Sequence, residues 1–118
     1  MEKELIEYSL ALLNQVKVFH WMTTSYAQHK ALDELYADLG ANIDTLVETY
    51  LGLRDRGTGI FQIKTSAHSD LSELPAFLRQ AYNDLKQLRT KIRQSELQNI
   101  IDELSTNINQ AMYLLKLT

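Results

Sequence analysis

Two histidines and three carboxylates, His20, His29, Asp33, Asp44 and Glu48, are the residues of this chain whose types and spacing suit the holding of metal ions. The chain has no cysteine, so a metal would be held by nitrogen and oxygen alone. Imidazole with carboxylate suits iron, with manganese or zinc in its place, rather than copper(I).

Four of the five fall on the stretch from Ser25 to Leu53, which reads as one long helix. With His29 at zero and ~100° per residue, Asp33 lies near ~40°, Asp44 near ~60° and Glu48 near ~100°, so they share a face. Leu32, Leu35, Leu39, Ile43, Leu46 and Tyr50 occupy a separate arc between ~240° and ~320°, which is the side that packs into the chain's own core.

One helix cannot close a site from these four, because Asp33 and Asp44 are ~16 Å apart along the axis. A second copy can. The positions 29, 33, 44 and 48 are symmetric about a point between Asp38 and Leu39. Two antiparallel copies crossing there bring His29 and Asp33 of one level with Glu48 and Asp44 of the other, giving two identical shared sites. Ala37, Gly40 and Ala41 lie on or beside that face and allow close approach. A mid-helix glycine costs up to ~1 kcal/mol and so implies a packing reason. Asp44 and Glu48 repel by a few tenths of a kcal/mol in an isolated helix, a cost that a bound cation reverses.

Four helices must position these groups. From Lys3 to Met22, Leu5, Leu12, Leu13, Val16 and Phe19 recur at helical steps. His20 and Trp21 close that helix, Thr23 and Thr24 turn, and Ser25 with Gln28 makes a capping box for the long helix. On the antiparallel arms of this hairpin His20 comes level with His29 and joins the cluster. The long helix ends at Gly52 or, by preference, before Gly57. From Thr58 to Asp70 there is no helical period; FQIKTS suits a brief extended piece without a partner strand, and His68 in this connection receives no role. A third helix opens at Ser72 or Pro75, carries Leu74, Phe77, Leu78, Tyr82, Leu85 and Leu88, and runs to about Arg93. Ser95 with Gln98 forms a second capping box, and Leu97, Ile100, Ile101, Leu104, Ile108, Met112, Leu115 and Leu117 line the fourth.

A tight hairpin, a connection of ~20 residues and a second tight hairpin predict a single all-α domain over 1–118. Its architecture is then a ferritin-like four-helix bundle, up-down-down-up, with the crossover between helices two and three. The composition agrees: 118 residues, 45% apolar, with one proline and four glycines. No apolar run reaches the ~20 residues of a membrane span, and MEKELIEY is too acidic for a signal peptide, so the expected compartment is the cytoplasm and no membrane partner is expected. A net charge of −3 without a Lys/Arg run argues against nucleic acid as a partner. Lys86, Arg89, Lys91 and Arg93 alternate with Leu85, Leu88 and Ile92 and read as the wet side of a helix.

The run FHWMTTSYAQHKALDELYADLGANIDTLVE resembles the ferroxidase region of Dps-type mini-ferritins: a His-Trp pair, then His, Asp four residues on, Asp eleven on and Glu four on. The resemblance implies that His20, His29, Asp33, Asp44 and Glu48 are iron ligands shared across a two-fold dimer. It also implies that Trp21 stands beside the centre and quenches stray oxidising equivalents, and that hydrogen peroxide or oxygen oxidises Fe(II) for iron detoxification, in a dimer or a dodecameric shell. The rest of the chain follows the family weakly, and the Lys-rich extension that some members use on DNA has no counterpart here.

Taken singly, each residue has a plainer role. Asp44 and Glu48 read as solvated helix charges, His29 as polar surface, His20 as a partner of a helix C-terminus and Trp21 as a core or interface anchor. Two histidines level across a hairpin, joined to a self-symmetric set of four, are what favour the metal reading. The rival from another class is a non-enzymatic ferritin-like dimer, a scaffold or virus-particle component with a structural or vestigial metal.

Overall fold

In the computed structural model, which describes residues 1–53, 59 and 61–118, four helices account for most of the described residues: α1 (Glu2–Met22), α2 (Tyr26–Gly52), α3 (Leu74–Thr90) and α4 (Ser95–Leu115). They form a four-helix bundle, and there is no strand among the described residues. Its longest dimension, 45 Å, is set by the 27-residue α2, which spans ~40 Å at the helical rise. No helix among the described residues is long and apolar enough to cross a membrane.

Local chemistry sets the helix ends. Ser25 caps α2, its hydroxyl accepting from the Gln28 N–H at 3.3 Å. The other half of the expected box is replaced by a relay. The Ser25 N–H donates to Thr23 Oγ1 at 3.1 Å, and that hydroxyl in turn donates to Gln28 Oε1. Removing the cap by Ser25→Ala should cost about 1 kcal/mol, read as a lower urea midpoint at unchanged slope.

The second expected box does not form. Gln94 is the N-cap of α4 without a side-chain bond, Ser95 is already helical, and Gln98 Nε2 donates instead to the Ile92 carbonyl at 2.7 Å, tying down the turn after α3. The extra turn expected on α3 is absent: the helix stops at Thr90, and Ile92 folds back into the core at 5% exposure. Pro75 sits in the first turn of α3, where its missing N–H costs nothing. A single 3-10 turn, Leu71–Glu73, leads into it. There the Asp70 carboxylate accepts from the Ser72 N–H at 2.9 Å, and that bond holds the carboxyl below its usual range. The long helix α2 ends at Gly52; the alternative end before Gly57 lies outside the described residues.

All six apolar residues of the expected inner arc of α2 are buried, with Leu32, Leu39 and Leu46 fully so. They meet Leu5, Leu12, Val16 and Phe19 of α1, Leu74, Leu78, Ala81 and Leu85 of α3, and Leu97, Ile101, Leu104, Ile108 and Ala111 of α4. Leu117, expected to extend this last stripe, lies past the helix end and is 66% exposed.

Pairwise contacts set the register. Asn42 of α2 donates to Asn107 of α4 at 2.7 Å, and Arg89 of α3 pairs with Asp102 of α4 at 2.7 Å. Phe19 near the end of α1 packs on Phe77 near the start of α3, with ring centroids 5.5 Å apart. The connection before α3 is pinned along α1: Glu7 accepts from the Gln62 N–H, Asn14 donates to the Lys64 carbonyl, and Gln15 engages residues 66–68.

Candidate metal centre

The turn between α1 and α2 is only Thr23–Ser25, so the end of one helix faces the start of the next. His20 Nδ1 lies 2.9 Å from the His29 carbonyl, and His29 Nδ1 lies 3.0 Å from the His20 carbonyl. A carbonyl only accepts, so each Nδ1 carries the proton and, in the neutral ring, the lone pair is on Nε2. The two rings stack with centroids 3.8 Å apart. Each histidine thus fixes the other's tautomer and orientation, the role that a backbone carbonyl plays behind many metal-ligating imidazoles.

His20 is buried, and its Nε2 lies 3.9 Å from Asp33 Oδ1, on a side chain that is 65% exposed. That separation is too long for a hydrogen bond. It is within the sum of two metal–ligand bonds of about 2.1 Å each. The donor set of imidazole nitrogen and carboxylate oxygen fits a divalent iron, manganese or zinc ion.

Asp44 and Glu48 are exposed on the outer face of α2, and make no hydrogen bond or ion pair with the described residues. Asp44 begins 11 residues after Asp33 and does not approach the histidines of its own chain. Among the described residues of one chain no three ligating side chains converge. Ala37 and Ala41 are exposed as well, and Gly40 is half-buried. A methyl group on Gly40 would meet only Leu13 Cδ1, at an ordinary 3.9 Å. Packing within the chain therefore does not require the glycine.

Trp21 does not enter the core of this chain: it is 68% exposed. Lys17 is shared between two rings, with Nζ 5.7 Å from the Trp21 centroid and 4.4 Å from that of Tyr36, a cation–π arrangement that joins α1 to α2 beside the histidine pair.

Two residues left without a role by the sequence are central to a second region. Gln15 is 2% exposed. Its Oε1 accepts from the Ala67 and His68 N–H groups at 2.8 Å each and from Ser66 Oγ at 3.2 Å, while Nε2 donates to the His68 carbonyl at 3.1 Å. His68 is held by this clasp, bonds through Nδ1 to the Glu73 carboxylate, and lies against Phe19 and Phe77. The signal for Gln15 was present as a polar residue on the Leu12, Val16 and Phe19 stripe; His68 carried none, because its partners are assembled only by the return of the chain. Gln15→Ala should cost about 2 kcal/mol, since water reaches part of the freed backbone, and should speed hydrogen exchange at the Ala67 and His68 amides.

Residues 20–115 match the model of a family of unknown function (DUF5856), and the chain belongs to that family. The matched span begins at His20 and includes all five candidate ligands. No curated protein and no solved structure matches the chain.

Proposed function

We propose that this protein is a Dps-like iron-binding protein that oxidises Fe(II) at sites shared between two copies of the chain. Each copy gives His20, His29 and Asp33 to one site and Asp44 and Glu48 to the other. The observation that carries this reading is the reciprocal locking of His20 and His29, which leaves an Nε2 lone pair on each ring and sets that of His20 toward Asp33. The same two bonds tie the end of α1 to the start of α2, and ring orientation fixed in this way is what a metal site needs of its imidazoles.

The contacts between helices support a ferritin-like, up-down-down-up arrangement. Phe19 against Phe77 joins the end of α1 to the start of α3, and Leu5 shares a groove with Leu88 near their opposite ends. Ala31 near the start of α2 lies by Leu114, and Tyr50 near its end lies by Leu97. Both pairs are then antiparallel, and residues 62–68 running along α1 supply the crossover. Exposure of Trp21, Ala37, Ala41, Asp44 and Glu48 supports a second copy seated on the outer face of α2.

Fe(II) is here the substrate. Two ions give up one electron each to hydrogen peroxide, which with two protons leaves as two waters, so that no radical escapes. The carboxylates neutralise the paired cations and the imidazoles hold them terminally. Trp21 takes up stray oxidising equivalents.

The test is anaerobic titration with Fe(II) followed by peroxide. Oxidation of two Fe(II) per peroxide, faster than in a protein-free control, is expected; no acceleration overturns the enzymatic reading. Metal retained without turnover indicates the non-enzymatic scaffold. Light scattering distinguishes a dimer, which suffices for the site, from a dodecameric shell able to store oxidised iron.

A further inference from the structure

Away from the histidine pair, α1 and α3 part to leave a groove of about 680 Å³, a volume typical of small-molecule sites. Its walls are Ala11 and Leu12 on one side and Ala76, Phe77 and Ala81 on the other. The short alanine side chains leave the space between the two helices unfilled. The ends are polar and differ from each other.

At one end the Tyr8 hydroxyl is buried without a well-formed hydrogen bond, and the Asp84 carboxylate also lines the groove. Asp84 accepts from Gln80 Nε2 at 2.8 Å and pairs with no cation among the described residues. At the other end Glu73 is already engaged by His68, whose ring lies against Phe19 and Phe77. From Tyr8 to Gln15, which backs the His68 end, the rise along α1 is about 10 Å. Lys64 is the one basic lysine or arginine lining the groove, against two carboxylates.

We propose that this groove binds a small organic cation, a primary amine on an unbranched or aromatic apolar body about 10 Å long. The ammonium donates to the Asp84 carboxylate and to the Tyr8 oxygen, the body lies on the alanines and Phe77, and the far end meets the His68 ring. Burial, followed by the neighbouring Asp84, pushes the Tyr8 phenol well above its ordinary range. It therefore stays a neutral hydroxyl at physiological pH, and Asp84 carries the charge that selects the ligand. This site is separate from the candidate metal centre and does not depend on it.

Calorimetric titration of the 118-residue chain with 4-phenylbutylamine, 4-phenylbutanol and 4-phenylbutyrate tests the proposal. The amine should bind at least about tenfold more tightly than the acid, with the alcohol between them, a difference of about 1.4 kcal/mol. Asp84→Asn should bring the amine down to the level of the alcohol. Ala11→Phe, and independently Ala76→Phe, should remove binding of all three while the far-ultraviolet circular dichroism of the helices is retained. Equal affinity for amine and acid overturns the charge assignment. Binding that survives both phenylalanine substitutions, or no binding of any probe, overturns the site.

Discussion

Two variants that are each inactive, His29→Ala and Asp44→Ala, should recover about a quarter of the wild-type rate of peroxide-driven Fe(II) oxidation when unfolded together and refolded as a mixture. The figure follows from the shared site. Half of the dimers formed are mixed, and in a mixed dimer one site collects both substitutions while the other collects neither. A mixture of His29→Ala with Asp33→Ala should recover nothing, because every site then lacks one ligand from the same half. Alone, each variant should lose at least about 100-fold in rate, as expected when a ligand that binds the reacting metal is removed. Asp44 is exposed in its own chain and has no partner among the described residues, so without metal its substitution should leave the melting temperature nearly unchanged. That separates loss of chemistry from loss of fold. Recovery absent from the first mixture, with both chains folded, would sink the intersubunit arrangement.

Phe19→Ala should be the most damaging single truncation in the core. Phe19 is fully buried and its ring lies 5.5 Å from that of Phe77 and 6.1 Å from that of His68. It therefore supports α1, α3 and the returning connection at once, and it immediately precedes His20. Loss of its contacts and the cavity left behind should cost about 4 kcal/mol, a fall of roughly 15 °C in melting temperature for a chain of this size. The urea midpoint should drop at unchanged slope. Phe19→Leu refills much of the cavity and should recover most of the stability, with the His20 bond to the His29 carbonyl kept.

Much of the architecture could be read from residue spacing. The six apolar positions from Leu32 to Tyr50 recur at helical steps, and all six are buried. The α1–α2 turn was legible from Thr23, Thr24 and Ser25, since a hydroxyl that caps the next helix acts over three residues and needs no distant partner. The same reasoning misplaced the cap of α4. Gln98 has a stronger use in satisfying the Ile92 carbonyl, and a local pattern does not reveal that competing acceptor. Gly40 was legible as an exception to helix propensity, and the space around it within the chain does not require the glycine.

The sequence by itself determined the all-helical class, the inner face of each helix and the alignment of His20 with His29, because these depend on periodicity and on short-range chain reversal. Tertiary structure alone decided that the two histidines donate to each other's carbonyls, that Gln15 clasps the connection after α2, and that His68 meets Glu73 between two phenylalanines. The clasp joins groups more than fifty residues apart, and their encounter depends on how whole helices stack and where the chain returns. The histidine pair is only nine residues apart, yet its bonds depend on ring orientation at the hairpin, a geometry that residue type and spacing do not encode.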